Sequence, residues 1–285
     1  ATDEASWQAS IAWQTRRRLP VSARDFHSLS WLQYEWTQQG RFAKARDAIQ
    51  IIEQAMKVVG TTTAQVGGHH YGDSEIGRGS GPAALRNDRG SMRARYIVES
   101  ERWSEMRGQA AFDNVDELFA LGMSAWKLGD DKRLYAAVSE FEKLVKANAN
   151  PELRELSVVM LHQLGALLMW SQGQQQEALM AMDRAVGAQA KMPKPIGRPY
   201  PVKGADELYG ELLLEAARPK DAVVWFERTL QRTPNRSRAV LGLARSAARA
   251  GDKVKSRSAY KQFLANWRLA DPQLPEVQEA QAALK

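Results

Sequence analysis

The residue types that could carry chemistry cluster in one place. His69, His70, Asp73 and Glu75 are metal-ligand types within seven positions, and a metal site would need three or four of them to converge with partners orienting them. They sit in GTTTAQVGGHHYGDSEIGRGSG, residues 60–81, a stretch rich in Gly, Ser and Thr without apolar period, so it reads as a long polar loop. GRGSG, Gly77 to Gly81, has the glycines of a phosphate loop without a preceding strand or a Lys-Ser/Thr ending, and reads as a hinge. His27 and His162 fall on helical stretches, and His162 takes an interior position expected of a satisfied core histidine. No serine stands in a strand–turn–helix setting, and the 285 residues contain no cysteine. Disulfides, thiol catalysis and thiolate metal sites are excluded, no catalytic motif is found, and no cofactor is called for.

The elements that would position such groups are helices. Leu208, Leu212 and Leu213, then Val223, Phe226 and Leu230, recur at the spacing that places each set on one helix face. Arg218 and Pro219 mark the break between them, and Pro234 ends the second. Arg238 to Ala250, the turn Gly251-Asp252, and Lys253 to Trp267 repeat the design. The turns at Ala217 and Gly251 are 34 residues apart. Tyr209-Gly210, Leu213, Ala222 and Phe226 precede Pro234, with Thr229 where alanine is usual, and Leu243-Ala244, Ala247, Tyr260 and Phe263 follow it.

In period and pattern the chain resembles the tetratricopeptide repeat family. That resemblance implies an all-α fold, a right-handed solenoid of antiparallel helix pairs occupying residues 1–285 as one elongated domain. Clear repeats are expected at about 26–57, 113–146, 156–190, 203–234 and 237–267. A shortened pair, Ser91 to Ser100 then Trp103 to Met106, fills the gap after the first. Glycines at 40, 129, 173 and 251 suit helix ends in left-handed backbone, and Asn150-Pro151-Glu152 reads as cap, first helical residue and first-turn acid. The four prolines of residues 191–203 forbid a helix there and favour an extended path. Ala1 to Arg18 is expected to be helical, with Trp7, Ile11 and Trp13 inward, and Pro275 to Lys285 to cover the last repeat.

The family's groove-facing positions select Tyr34, Phe119, Met123, Trp126, Lys127, Leu167 and Trp170, and in the last repeat Arg238, Leu241, Arg245 and Arg249. The resemblance therefore implies a protein- or peptide-binding scaffold or adaptor. Its apolar-aromatic groove would have a basic end suited to an acidic or free-carboxylate ligand. The family's carboxylate clamp also needs asparagine, absent from the aligned positions, so that activity does not carry over. A net charge of +7 leaves a second reading, a polyanion or nucleic-acid binder using Arg16, Arg17, Arg18, Arg93, Arg95 and residues 191–203. A subunit of an enzyme or metal-binding assembly, built on the 60–81 loop, is a third. No apolar run is long enough for a membrane span. The chain begins at Ala1 without methionine, as an exported product or a fragment would, so cytoplasm and periplasm both stay open.

Overall fold

The computed structural model describes residues 2–59, 82–147, 149–195 and 197–285. His69, His70, Asp73, Glu75 and Gly77 to Gly81 lie outside these residues. The described residues form helices and turns with no strand. In chain order the helices are α1 (Thr2–Arg16), α2 (Phe26–Gln38), α3 (Phe42–Val59), α4 (Pro82–Ser100), α5 (Val115–Lys127), α6 (Asp131–Ala147) and α7 (Pro151–Ser171). They continue as α8 (Gln175–Lys191), α9 (Ala205–Glu215), α10 (Pro219–Arg232), α11 (Ser237–Arg249), α12 (Lys253–Asn266) and α13 (Pro275–Leu284). A 3-10 turn, Trp103–Met106, stands where the shortened pair was expected to have its second helix.

Five turns share one chemistry. Gly40, Gly129, Gly173, Ala217 and Gly251 all have left-handed backbone, with φ between +57° and +82°. At each, the N–H one residue further on reaches back to the carbonyl five positions earlier: Arg41 to Trp36, Asp130 to Ala125, Gln174 to Met169, Arg218 to Leu213 and Asp252 to Ala247, at 2.8–2.9 Å. This bond satisfies a carbonyl that the ending helix leaves open. α7 begins as its sequence implies, with the Asn150 side chain accepting from the amides of Glu152 and Leu153 and Pro151 in the first turn.

Apolar faces then stack in order, α2 on α3, α5 on α6, α7 on α8, α9 on α10 and α11 on α12, with α4 packed between the first two pairs and each later pair packed on the next. Small residues set the closeness. A Cβ on Gly242 would sit 2.3 Å from the ring of Phe226, and one on Gly122 would sit 2.6 Å from Leu164.

An elongated stack would leave its two ends apart, but here they touch. The Ser237 amide donates to the Gln38 side chain at 3.0 Å and its hydroxyl to the Gln38 carbonyl at 2.6 Å. Asp271 donates its amide to the Gly40 carbonyl and accepts from the Ala43 amide. The Trp267 ring lies edge-on to Phe42, centroids 5.5 Å apart. The succession of helix pairs is thereby closed into a circuit of contacts.

The proline-rich segment also runs inward. Met192, Arg198, Val202 and Lys203 are buried. Gly197 lies so close to Trp31 of α2 that a Cβ would be 2.0 Å from the indole, and Arg198 stacks on the same ring. The Lys203 carbonyl accepts from Gln163 of α7, and the Val202 carbonyl from Arg236 at the start of α11. The segment fills space between α2, α7, α9 and α11 that an open groove would require.

Candidate functional site

The basic end comes first. Spacings of seven and four put Arg238, Arg245 and Arg249 on one face of α11. Arg238 is buried, donating to the Glu99 carbonyl at 2.7 Å and to Glu276 of α13 at 2.8 Å, with its guanidinium over Phe42 and Trp267. Arg245 grips both oxygens of Glu279, also of α13, at 2.6–3.2 Å, and Tyr260 donates to the same carboxylate. Burial and that bond push the Tyr260 hydroxyl up to about 12. Arg249 remains exposed and reaches the Leu214 carbonyl at 3.3 Å. The expected cationic end is therefore neutralised at two of its three arginines, because the covering helix α13 supplies a carboxylate to each.

The apolar members divide. Phe119, Met123, Leu167 and Leu241 are 1% exposed or less, packed into the core and out of a ligand's reach. Tyr34 is half-buried, with the Arg95 guanidinium 5.6 Å from its ring. Burial raises the Tyr34 hydroxyl above its ordinary value. Trp126 and Trp170, at the C-terminal ends of α5 and α7, are half-buried and keep part of their indole surface open. Lys127 lies over the Trp126 ring at 4.0 Å and reaches Glu215 at 3.5 Å. Since Arg249 touches residue 214 and Lys127 touches residue 215, the last turns of α5, α9 and α11 meet at one rim. Two cations there face helix ends whose dipoles favour positive charge.

Beneath it lies an ion network that has no local signal in the sequence. Arg236 is bonded to Glu207, to Glu99 at 2.6 Å and to the Val202 carbonyl at 3.2 Å. Lys203 bridges Glu207 at 3.0 Å and Glu211 at 2.5 Å. Glu99, Glu207, Lys203 and Arg236 are all buried. Burial alone would raise the Glu207 carboxyl, but the charges of Arg236 and Lys203 outweigh it and hold it at about 2. Burial likewise opposes the charge on Lys203, and Glu207 and Glu211 overcome it, holding the ammonium above its ordinary range. These charges are mutually satisfied, which suits a structural clamp on the inward segment.

The remaining sequence candidates are placed as follows. Arg95, Arg198 and Lys203 are buried and Arg93 pairs with Glu117 at 2.9 Å, so these four do not form a basic surface patch. His162 is half-buried rather than deep in the core, its pKa lowered by burial and by Arg184. His27 accepts from the Trp31 indole at 3.0 Å. Trp7 is buried against Phe26, Ile11 is half-buried, and Trp13 is exposed. Among the described residues no group of three or more His, Asp or Glu could hold a metal, and no helix is long and apolar enough to cross a membrane. No protein-family model matches the chain, and no curated protein matches it.

Proposed function

We propose that this chain is a scaffold of the tetratricopeptide type that binds a protein partner at the rim formed by Trp126, Lys127, Trp170 and Arg249. One observation carries the reading. Of the groove positions taken from the family, Lys127 and Arg249 are exposed and Trp126 and Trp170 half-buried at the ends of their helices, with Lys127 lying over the Trp126 ring and reaching Glu215 at the edge of the same rim. Half-open tryptophans flanked by basic groups are typical anchor residues of protein interfaces. The interior is filled by residues 197–204, so the partner engages the rim and does not thread a channel.

The test is capture of partners from the native host on the wild-type chain and on a Trp126→Ala/Trp170→Ala variant. The wild type is expected to retain a partner that the variant loses, at equal thermal stability within a few degrees. Equal capture of the same partner by both would contradict the rim assignment. Arg238 is unsuitable for this purpose, since its removal would break a buried structural pair.

A further inference from the structure

A cleft of about 210 Å³ lies between α8 and α10. Val186, Gln189 and Ala190 of α8 line one side, Arg228, Gln231 and Arg232 of α10 the other. Lys194, exposed in the proline-rich segment, and Asp206, in the first turn of α9, complete it. The floor is buried and fixed. Gln189 donates its amide to Asp206 Oδ2 at 3.2 Å and accepts from the Ala205 amide at 2.8 Å. The other carboxylate oxygen, Asp206 Oδ1, is buried and accepts no hydrogen bond; the Arg228 guanidinium stands 3.4 Å away. A buried acceptor left without a hydrogen is costly. Burial holds the Asp206 carboxyl above its ordinary value, Arg228 and Arg232 offsetting only part of that, so a proton at this oxygen is favoured.

One carboxylate here faces three cations. Arg228 and Arg232 are one turn apart on α10, a spacing at which like charges repel. The Arg228 guanidinium is held over the Trp225 ring at 4.3 Å, and that ring stacks on Tyr209. Arg232 is held by its Nη2, which donates to the carbonyls of Pro193 at 3.0 Å and Met192 at 3.4 Å. Among the described residues, its Nε and Nη1 meet no acceptor, and Lys194 makes neither an ion pair nor a hydrogen bond.

We infer that this cleft binds inorganic phosphate as its monohydrogen ion. The negative charge follows from Lys194, Arg228 and Arg232, two of them guanidiniums whose planar donors match an oxyanion. The size follows from a cleft smaller than those that hold drug-sized ligands. The proton follows from Asp206 Oδ1, since a bound anion must bring a hydrogen to that oxygen or be repelled by it. Monohydrogen phosphate carries one; sulfate, of equal charge and similar shape, does not. None of the rim residues lines the cleft, so this site does not depend on that reading.

The experiment is isothermal titration of the full chain near pH 8 with inorganic phosphate, sulfate and methyl phosphate, dianions of which the first alone keeps a proton. Phosphate is expected to bind at least tenfold more tightly than either of the others. Arg232→Gln should weaken phosphate at least tenfold. Lys194→Gln, an exposed change that disturbs no packing, should weaken it at least threefold. In Asp206→Asn, which keeps the size of the side chain, phosphate should lose its advantage and sulfate should bind within threefold of it. Absence of phosphate binding, equal affinity of the wild type for phosphate and sulfate, or unchanged phosphate affinity in Lys194→Gln and Arg232→Gln would each overturn the inference. So would tighter binding of methyl phosphate, since the cleft would then read a phosphate ester.

Discussion

At the scale of single residues, Gly40 and Gly251 hold equivalent turns, with φ of +68° and +82°, yet their surroundings differ. A Cβ on Gly40 would lie 2.7 Å from the Trp267 indole, whereas one on Gly251 would meet nothing within 4 Å. Gly251→Ala should therefore cost only the left-handed backbone penalty, about 1–2 kcal/mol. Gly40→Ala should add overpacking of about 1–3 kcal/mol, and paired denaturant melts would show the difference. Glu207 gives a pH prediction. Its carboxyl is held at about 2 in the folded chain, against about 4.3 when unfolded. A depressed carboxyl stabilises fully above the unfolded value, and that contribution is lost as pH falls through the folded one. Wild-type unfolding free energy should drop by roughly 2–4 kcal/mol between pH 5 and 2 on this account. In Glu207→Gln that component should vanish, and an unchanged acid profile would refute the role given to Arg236 and Lys203. The network was not legible in the sequence, because Glu99, Glu207 and Arg236 come from three separate helical regions and only folding brings them together.

At the scale of elements, the five turns were the most readable part of the chain. Each is local: an amphipathic period ends, a glycine or Ala217 adopts left-handed backbone, and a bond reaches back to the carbonyl five positions earlier. Ala217 is the one turn residue of the five with a Cβ to accommodate, and it is exposed. Ala217→Gly should consequently raise stability by up to about 1 kcal/mol, measured as a shift in denaturant midpoint. No shift or a loss would show that the turn is relaxed as it stands. Two elements were read correctly as elements but not in their roles, because those roles rest on long-range partners. The segment 191–203 has the prolines of a surface linker, but Trp31, Gln163 and Arg236 draw it inside. α13 was expected to cover the last repeat, and it does pack on α12. Its Glu276 and Glu279 were not foreseen as the partners that neutralise Arg238 and Arg245.

At the scale of the whole molecule, contact between the first and last helix pairs changes how the repeats depend on one another. In an open array each repeat is stabilised mainly by its neighbours. Here Trp267 touches Gly40 and Phe42, so α12 supports α3 across more than two hundred residues of sequence. Trp267→Ala should cost about 3–5 kcal/mol and speed amide exchange in α2 and α3 as well as in α12. Exchange confined to α12 would show that the ends act independently. All-α character was legible from periodicity alone; the closure was not, since the groups that make it, Gln38, Asp271 and Trp267, have no pattern linking them in sequence. The central claim is that the interior belongs to the chain's own residues 197–204 and that partners engage the rim. Hydrogen exchange on the chain with and without its captured partner tests this most directly. The account predicts new protection in the last turns of α5, α7, α9 and α11, with residues 197–204 equally protected in both states. Protection gained mainly in residues 197–204 and α2, with the rim unchanged, would contradict it.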